Sequence, residues 1–573
     1  MKRGITYKLL RSRPLMLAAF VVCAAMAALF TMATALSVTD FLQLIFPSGE
    51  SSALSVSQAN PVEKLLSGVY DMLIEQGPMR ALLLYAFLLF GLYGFKNICS
   101  YLSSVSFANV KISALRDVRN DLHKSALAYP FSRWSNQQQG QWLSYMSNDI
   151  VEYEANVLDS IQMLVQSLLT MLIYVFMLLY LDWRMTLFVV LIMGIGAALL
   201  SVSRRLKRQS RQLQALNGEL LSTTQETLES LKEIKAATAI DYVNERQRRQ
   251  NIQFTRRRIG IYRRIYAASP ISDFVGNVIV VLILVLGAQR VLGDSASLSP
   301  ALFVSYIMIY VLLLTPIKEL SNAIAQLKKG RGIEERLSDV LETPDACSAA
   351  ETTSIDGNAI ESVELRDVSF SYGDVKVLEH LNLELPMHCH TAVIGESGSG
   401  KTTLGRLLVG LLQPQSGEVL FDGKPTTESM RAGRVAYIPQ EPMLFNDTIE
   451  SNIRFGRNHI SDEDINEAIR MAQLEPLIGS LPAGLKTFIG DDGGRLSGGE
   501  RQRIAIARAL AGNPSIVVMD EATAALDAAT EQHFSEAVRE AMQDRTMVVI
   551  AHRSSTIDKC DHVFSIERKE FVR

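Results

Sequence analysis

Three short stretches of this 573-residue chain place side chains where they could handle phosphate. The first is "GESGSGKTT", Gly395 to Thr403, preceded by the apolar run "HTAVI" and followed by a pattern that opens a helix. A loop of the form G-x-x-x-x-G-K-[ST] needs glycines so that backbone amides can wrap phosphate closely. Lys401 then reaches the β- and γ-phosphates, and the Thr402 hydroxyl is placed to hold Mg2+. A chance glycine-rich loop is the bland alternative, and a strand before with a helix after counts against it. The second stretch, "SIVVMDEAT", supplies the remaining chemistry. Its apolar run reads as a strand whose end delivers Asp520 toward the metal, and Glu521 can orient or deprotonate an attacking water. Alone, such a pair reads equally well as a helix cap; beside a phosphate loop it reads as catalytic.

The third stretch is "GDDGGRLSGGERQR", residues 490 to 503, which sets a glycine pair and a serine before a helical run. The first amides of a helix lack partners and its dipole favours negative charge, so this turn also suits a phosphate. One chain with two such turns raises the question of whose phosphate the second one holds.

These elements sit in a larger frame. The chain is 48% hydrophobic with a positive mean hydropathy, which points to a membrane protein with a soluble part. Its formal net charge of −3 averages an apolar first half with a mixed second half and indicates no nucleic-acid partner. Cys23, Cys99, Cys347, Cys389 and Cys560 follow no recurring spacing, so neither a disulfide framework nor a zinc site is expected. "MHCH", residues 387 to 390, reads as strand residues alternating between faces rather than as a metal site.

Six stretches are apolar enough to cross a bilayer, which takes roughly 20 helical residues each. They lie near 14–38, 79–101, 157–180, 185–203, 270–292 and 300–323. The first is too long for a cleavable signal and is expected to stay in the mature protein. "MKRGITYKLLRSR" and the basic segment from "RRLKRQSR" to "FTRRRIGIYRR" place the amino terminus and the long connections in the cytoplasm by the positive-inside rule. An even number of spans returns the carboxy terminus to the same side. The connections 102–156 and 204–269 read as helical, so the spans are expected to continue as intracellular legs.

The expected organisation is an α-helical six-span transmembrane domain at 1–330, a linker at 331–358, and an α/β P-loop ATPase domain at 359–573. In the last, "VELRDVSFSY", "HTAVIG", "SIVVMD" and "TMVVIAH" read as strands and "KTTLGRLLVGLL" as a helix. That alternation predicts a largely parallel sheet covered by helices.

The order and spacing of Gly395–Thr403, the glutamine of "YIPQEPMLFNDTI", "LSGGERQR", "VVMDEAT", "AALD" and "IAHR" resemble the ATP-binding cassette. The whole chain resembles a half-size exporter of that superfamily. The resemblance implies ATP and Mg2+ as cofactors, with Gly395, Glu396, Ser397, Gly398, Ser399, Gly400, Lys401, Thr402 and Thr403 around the phosphates. It further implies that Tyr372 stacks on adenine, that Gln440 joins Thr402 and Asp520 near the metal and links nucleotide to membrane domain, and that His552 senses the γ-phosphate. Asp527 would communicate across the cassette pair. Two cassettes meet head to tail in this family, so Ser497, Gly498, Gly499 and Glu500 of one copy would cap the phosphate held by Lys401 of the other. That answers whose phosphate the second turn holds and makes a dimer necessary. Complete motifs favour a homodimer over one half of a heterodimer. Coupling helices are expected near "QGQWLSYMSND" and "QETLESLKEIK".

The substrate is less legible. "ASPISDFVGNVIV" and "TPIKELSNAIAQLKKG" resemble segments of the bacterial lipid A exporter subfamily, and Lys96 falls near a basic residue of that subfamily. Gln166 and Thr315 stand where it carries further arginines, which widens the expected substrate to an amphiphile with at least one anionic group. Asn97, Gln166, Asp273, Asn277, Asn322 and Gln326 either line a polar cavity or hydrogen-bond helix to helix. The leading expectation is ATP-driven export of a lipid-like anion from the cytoplasmic leaflet outward across a bacterial inner membrane. Multidrug or peptide export, and a nucleotide-gated channel or regulatory subunit, are the alternatives.

Overall fold

The computed structural model describes residues 6, 11–45, 78–134, 136–190, 222–292, 300–342, 360–373, 375–426, 433–521, 545–551 and 553–573. The chain divides into two units, Met1–Lys124 with Trp142–Glu342, and Ser125–Gln141 with Thr343–Arg573.

The first unit is helical: α1 Pro14–Ile45, α2 Pro78–Leu127, α3 Asp159–Leu181, α4 Ile240–Leu292 and α5 Pro300–Glu342. Only a helix or a closed barrel satisfies its own backbone in hydrocarbon, so long apolar runs such as "LMLAAFVVCAAMAALF" fold this way. Tyr174 and Leu178 of α3, Ile279 and Ile283 of α4, and Tyr306 and Tyr310 of α5 form its core. Leu83, Phe87, Phe90 and Phe176 are 62–76% exposed instead, an apolar exterior suited to lipid. Among the described residues four helices are long and apolar enough to cross a membrane, Pro14–Ala35, Leu82–Leu127, Gln138–Leu181 and Phe303–Leu341, with Asp273–Gln289 a shorter apolar helix. The remaining expected span, 185–203, is described only to residue 190. The expected linker start at 331 is helical instead, because α5 continues through Glu342 with Ile333 and Leu337 buried one turn apart.

The second unit holds two sheets. Strands β1 Val363–Tyr372, β2 Val375–Leu385, β4 Ser416–Phe421 and β5 Lys424–Pro425 form an antiparallel sheet in the order β2-β1-β4-β5. The other sheet runs β10-β9-β3-β8-β7-β6, from β3 His390–Ile394, β6 Val435–Ile438, β7 Ile516–Asp520, β8 Thr546–Ile550, β9 His562–Ser565 and β10 Glu570–Phe571. All its pairings but β10 with β9 are parallel. Ile516 and Val518 face the core of helix α6, Lys401–Val409, while Val517 and Met519 face that of helix α7, Gly498–Leu510. Covering both faces is why β7 and β8 are buried along their whole length. In such sheets ligands bind beyond the carboxyl ends of the strands, where β3 and β7 deliver Gly395 and Asp520.

Candidate functional site: a phosphate loop and its carboxylates

The loop after β3 turns directly into α6. Gly400 caps that helix at φ 99°, a left-handed conformation that glycine adopts without penalty. A Cβ there would lie 2.9 Å from Leu378 and 3.0 Å from Val377. The Lys401 side chain is 6% exposed. Its Nζ donates to the carbonyls of Gly395, at 2.8 Å, and Glu396, at 2.7 Å, so the ammonium lies across the loop it belongs to. The loop is suited to an anion: among the described residues Ser399 Oγ is buried without a hydrogen-bond partner, and a Cβ on Gly398 would meet none of them within 4 Å. The Glu396 amide donates to Glu567 Oε1 at 2.6 Å, anchoring the start of the loop to the turn after β9.

Asp520 ends β7 and is 5% exposed. Its two oxygens have different partners: Oδ1 accepts from Thr402 Oγ1 at 3.1 Å and Oδ2 from the Tyr437 hydroxyl at 2.9 Å. Burial and the neighbouring Asp520 charge push the Tyr437 pKa up to about 12. An oxygen pair from Thr402 and Asp520 beside a phosphate loop is a hard donor set of the kind Mg2+ takes. Glu521 has left the strand geometry, with φ 49°, and its N–H donates to Ile550 O at 3.1 Å. Its carboxylate accepts from Gln440 Nε2 at 2.8 Å. A non-glycine residue held in this region costs on the order of 1–3 kcal/mol and is met most often at functional sites.

Tyr372 ends β1, 39% exposed, with its ring edge-on to Phe370 at 5.0 Å. Arg406, on α6, donates to the Tyr372 hydroxyl at 3.5 Å and places its positive charge beside Tyr437. Neither Arg406 nor Tyr437 is picked out by motif spacing. The only hint in the sequence is a hydroxylated side chain interrupting the apolar strand "VAYI". Thr403 is buried beneath the loop.

Ser497 makes its hydrogen bonds elsewhere. It is exposed and caps α7: its Oγ accepts from the Glu500 amide at 3.3 Å, while Glu500 Oε2 accepts from the Ser497 amide and hydroxyl, both at 2.7 Å. Among the described residues these bonds stay within the signature turn rather than reaching the phosphate loop. Gly498 and Gly499 form the first residues of α7. Asp527 and His552 lie outside the described residues.

In the helical unit, Lys96 sits on α2 with its ammonium 5.9 Å from the Tyr93 ring centroid. Asp273 is paired with Lys318. Gln166 donates to Ser103 Oγ at 3.4 Å, and Gln326 accepts from Ser160 at 2.9 Å, so both amides are used between helices.

An apolar helical unit joined to an α/β unit with this phosphate loop defines a membrane-embedded, P-loop ATPase. Residues 378–524 match the ABC transporter family, and residues 17–317 match the ABC transporter transmembrane region. The chain belongs to the ABC transporter family. It is 30% identical to the ATP-dependent lipid A-core flippase of Desulfotalea psychrophila over 91% of each chain. It is 31% identical to the flippase of that name from Nitrosococcus oceani, over 91% of this chain and 87% of the other. A bacterial Atm1-family ABC exporter, solved with ATP bound, shares the fold at a TM-score of 0.75 and 22% identity, with 98% and 95% of the two chains covered. The protein is therefore an ATP hydrolase coupled to transport across a membrane, with the helical and the α/β parts fused in one chain.

Proposed function

We propose that this chain is one half of a homodimeric, Mg2+-dependent exporter that moves a lipid-like anion from the cytoplasmic leaflet outward across a bacterial inner membrane. The observation that carries the reading is the separation of two half-sites within one cassette. Lys401, Thr402 and Asp520 form a cluster, while Ser497 caps an exposed helix start whose hydrogen bonds, among the described residues, stay within its own turn. A second copy, turned head to tail, would bring its Ser497, Gly498 and Gly499 to the phosphate held by the first, with Glu500 stabilising the turn.

Within each composite site, the amides of Gly395–Thr403, the Ser399 hydroxyl and the Lys401 ammonium bind the phosphates, and Tyr372 offers its exposed ring to the adenine. Bound Mg2+ would be held by Thr402, Asp520 and Gln440 and would offset charge on the phosphates. Glu521 accepts the proton as water attacks the γ-phosphorus and the bond to the β-phosphate oxygen breaks. His552 reads the γ-phosphate and Asp527 passes its loss to the partner. ATP held between the copies favours the closed pair, and hydrolysis removes the bridge.

The lipid reading rests on the relatives' names and on Lys96, a cation in an apolar helix that costs about 2.5–3.5 kcal/mol at mid-membrane unless something anionic or aqueous meets it. ATPase activity of the purified protein in liposomes, measured against lipids, drugs and peptides, tests it. Stimulation by anionic lipids supports the reading, and stimulation only by drugs or peptides overturns the substrate. Disulfide trapping, with ATP present, of Ser397→Cys on one copy, a loop position that binds through its backbone amide, with Ser497→Cys on the other tests the composite site. Failure to link, with both variants folded, would remove the homodimer.

A further inference from the structure

We propose that Tyr437 is the positioning residue for the metal-binding carboxylate of Asp520, and that Arg406 fixes Tyr437 in that role. The inference rests on the reading of Asp520 as a Mg2+ ligand and adds residues that no motif assigns.

A carboxylate at a strand end is free to turn about its Cβ–Cγ bond, and metal coordination needs one oxygen at a set place. Asp520 is held at both ends: Oδ1 by Thr402 on α6, and Oδ2 by Tyr437 on the neighbouring strand β6. The parallel pairing of β6 with β7 sets Tyr437 opposite Val518 and Ile438 opposite Met519, which carries the tyrosine hydroxyl to the carboxylate at the strand end. Thr402 is itself an expected metal ligand, so its bond to Oδ1 must change when the ion enters. The bond from Tyr437 to Oδ2 can persist and keep the carboxylate aimed. Hydrogen bonds behind a metal ligand act in this way, and removing one typically costs 10–100-fold in metal affinity.

Arg406 completes the arrangement. Its guanidinium donates to the Tyr372 hydroxyl at 3.5 Å and lies close enough to the Tyr437 hydroxyl to interact with it electrostatically. Tyr437 thus donates to an anion with a cation beside it, and the cation's field strengthens that donation. A buried tyrosine needs some partner for its hydroxyl. One that merely satisfied itself on Asp520 would leave metal dependence untouched when replaced by phenylalanine.

The test uses the full chain in lipid nanodiscs. Tyr437→Phe keeps the ring and removes the donor. Binding of a fluorescent ATP analogue in EDTA should stay within about 2-fold of the parent, while the Mg2+ concentration for half-maximal ATPase rises by about 10-fold. The spectrum of Mn2+ bound with the same nucleotide should also broaden. Arg406→Lys, which keeps charge but not the planar fork, should shift the Mg2+ requirement the same way by less, and it serves if Tyr437→Phe does not fold. A parental Mg2+ requirement and Mn2+ spectrum in the folded variant overturn the proposal. Asp520→Asn separates the two levels: if it alone alters metal dependence, only the role of Tyr437 fails. If neither variant does, the metal reading of Asp520 fails with it.

Discussion

Gln440 donates its side-chain amide to the Glu521 carboxylate at 2.8 Å. The residue expected to activate water is thus tied to the residue expected to sense the metal and the membrane domain. A Gln440 drawn toward a bound ion would take this donor away from Glu521.

Glu521→Gln should therefore separate binding from turnover. Nucleotide affinity should remain within a few-fold of the parent, while ATP hydrolysis falls by about 10²–10⁴, the usual contribution of a positioned base. Equilibrium binding together with single-turnover phosphate release checks both. A variant hydrolysing at near-parental rate would remove Glu521 from the chemistry.

Gly400 sits at φ 99° against Leu378 and Val377. Gly400→Ala should cost roughly 1–3 kcal/mol of strain and weaken ATP binding together with thermal stability. Lys401→Ala, by contrast, should abolish ATP binding with little change in unfolding temperature. Calorimetry with and without nucleotide distinguishes the two.

Ser497 has two separable jobs, since it caps α7 in its own chain and is proposed to meet the partner's phosphate. Ser497→Ala should lose about 1 kcal/mol of cap stability and most turnover. Ser497→Asn restores a good cap and should recover the melting temperature without recovering turnover. Recovery of both would mean that the serine acts only as a cap.

Tyr437 keeps its proton to about pH 12 in the folded protein, because of burial and then the Asp520 charge, against about 10 when unfolded. Between those values the folded state holds more protons, so stability should fall as pH rises from about 10 to 12. The contribution is fully present below pH 10. Thermal unfolding of Tyr437→Phe should show a shallower decline across that window, and an unchanged slope would show that this hydroxyl titrates alike in the folded and unfolded chain.

The phosphate loop was legible because it is local: a strand, six loop residues and a helix start are contiguous, and glycine alone tolerates the backbone at Gly400. The bond between Tyr437 and Asp520 joins residues 83 apart and depends on the register of two parallel strands, which no linear spacing records. The antiparallel sheet that presents Tyr372 was seen only in its first strand, because "VKVLEHLNLEL" and "SGEVLF" need partners to declare themselves. In the helical unit, hydropathy marks four described helices long and apolar enough to cross a membrane. Pairing of Lys318 with Asp273 was not legible, since composition gives the depth of a charge but not the rotation of its helix.

The Phe131 ring lies 5.6 Å from the Arg406 guanidinium, and its segment Ser125–Gln141 is counted with the catalytic half of the chain rather than with its sequence neighbours. During synthesis Phe131 leaves the ribosome on the order of tens of seconds before Arg406 at about 5–20 residues per second. An early stretch of polypeptide must wait for a late one, so this contact forms only after the whole helical unit has been synthesised. Production of the two halves as independent genes would sever that dependency, and with it a built-in order of biogenesis.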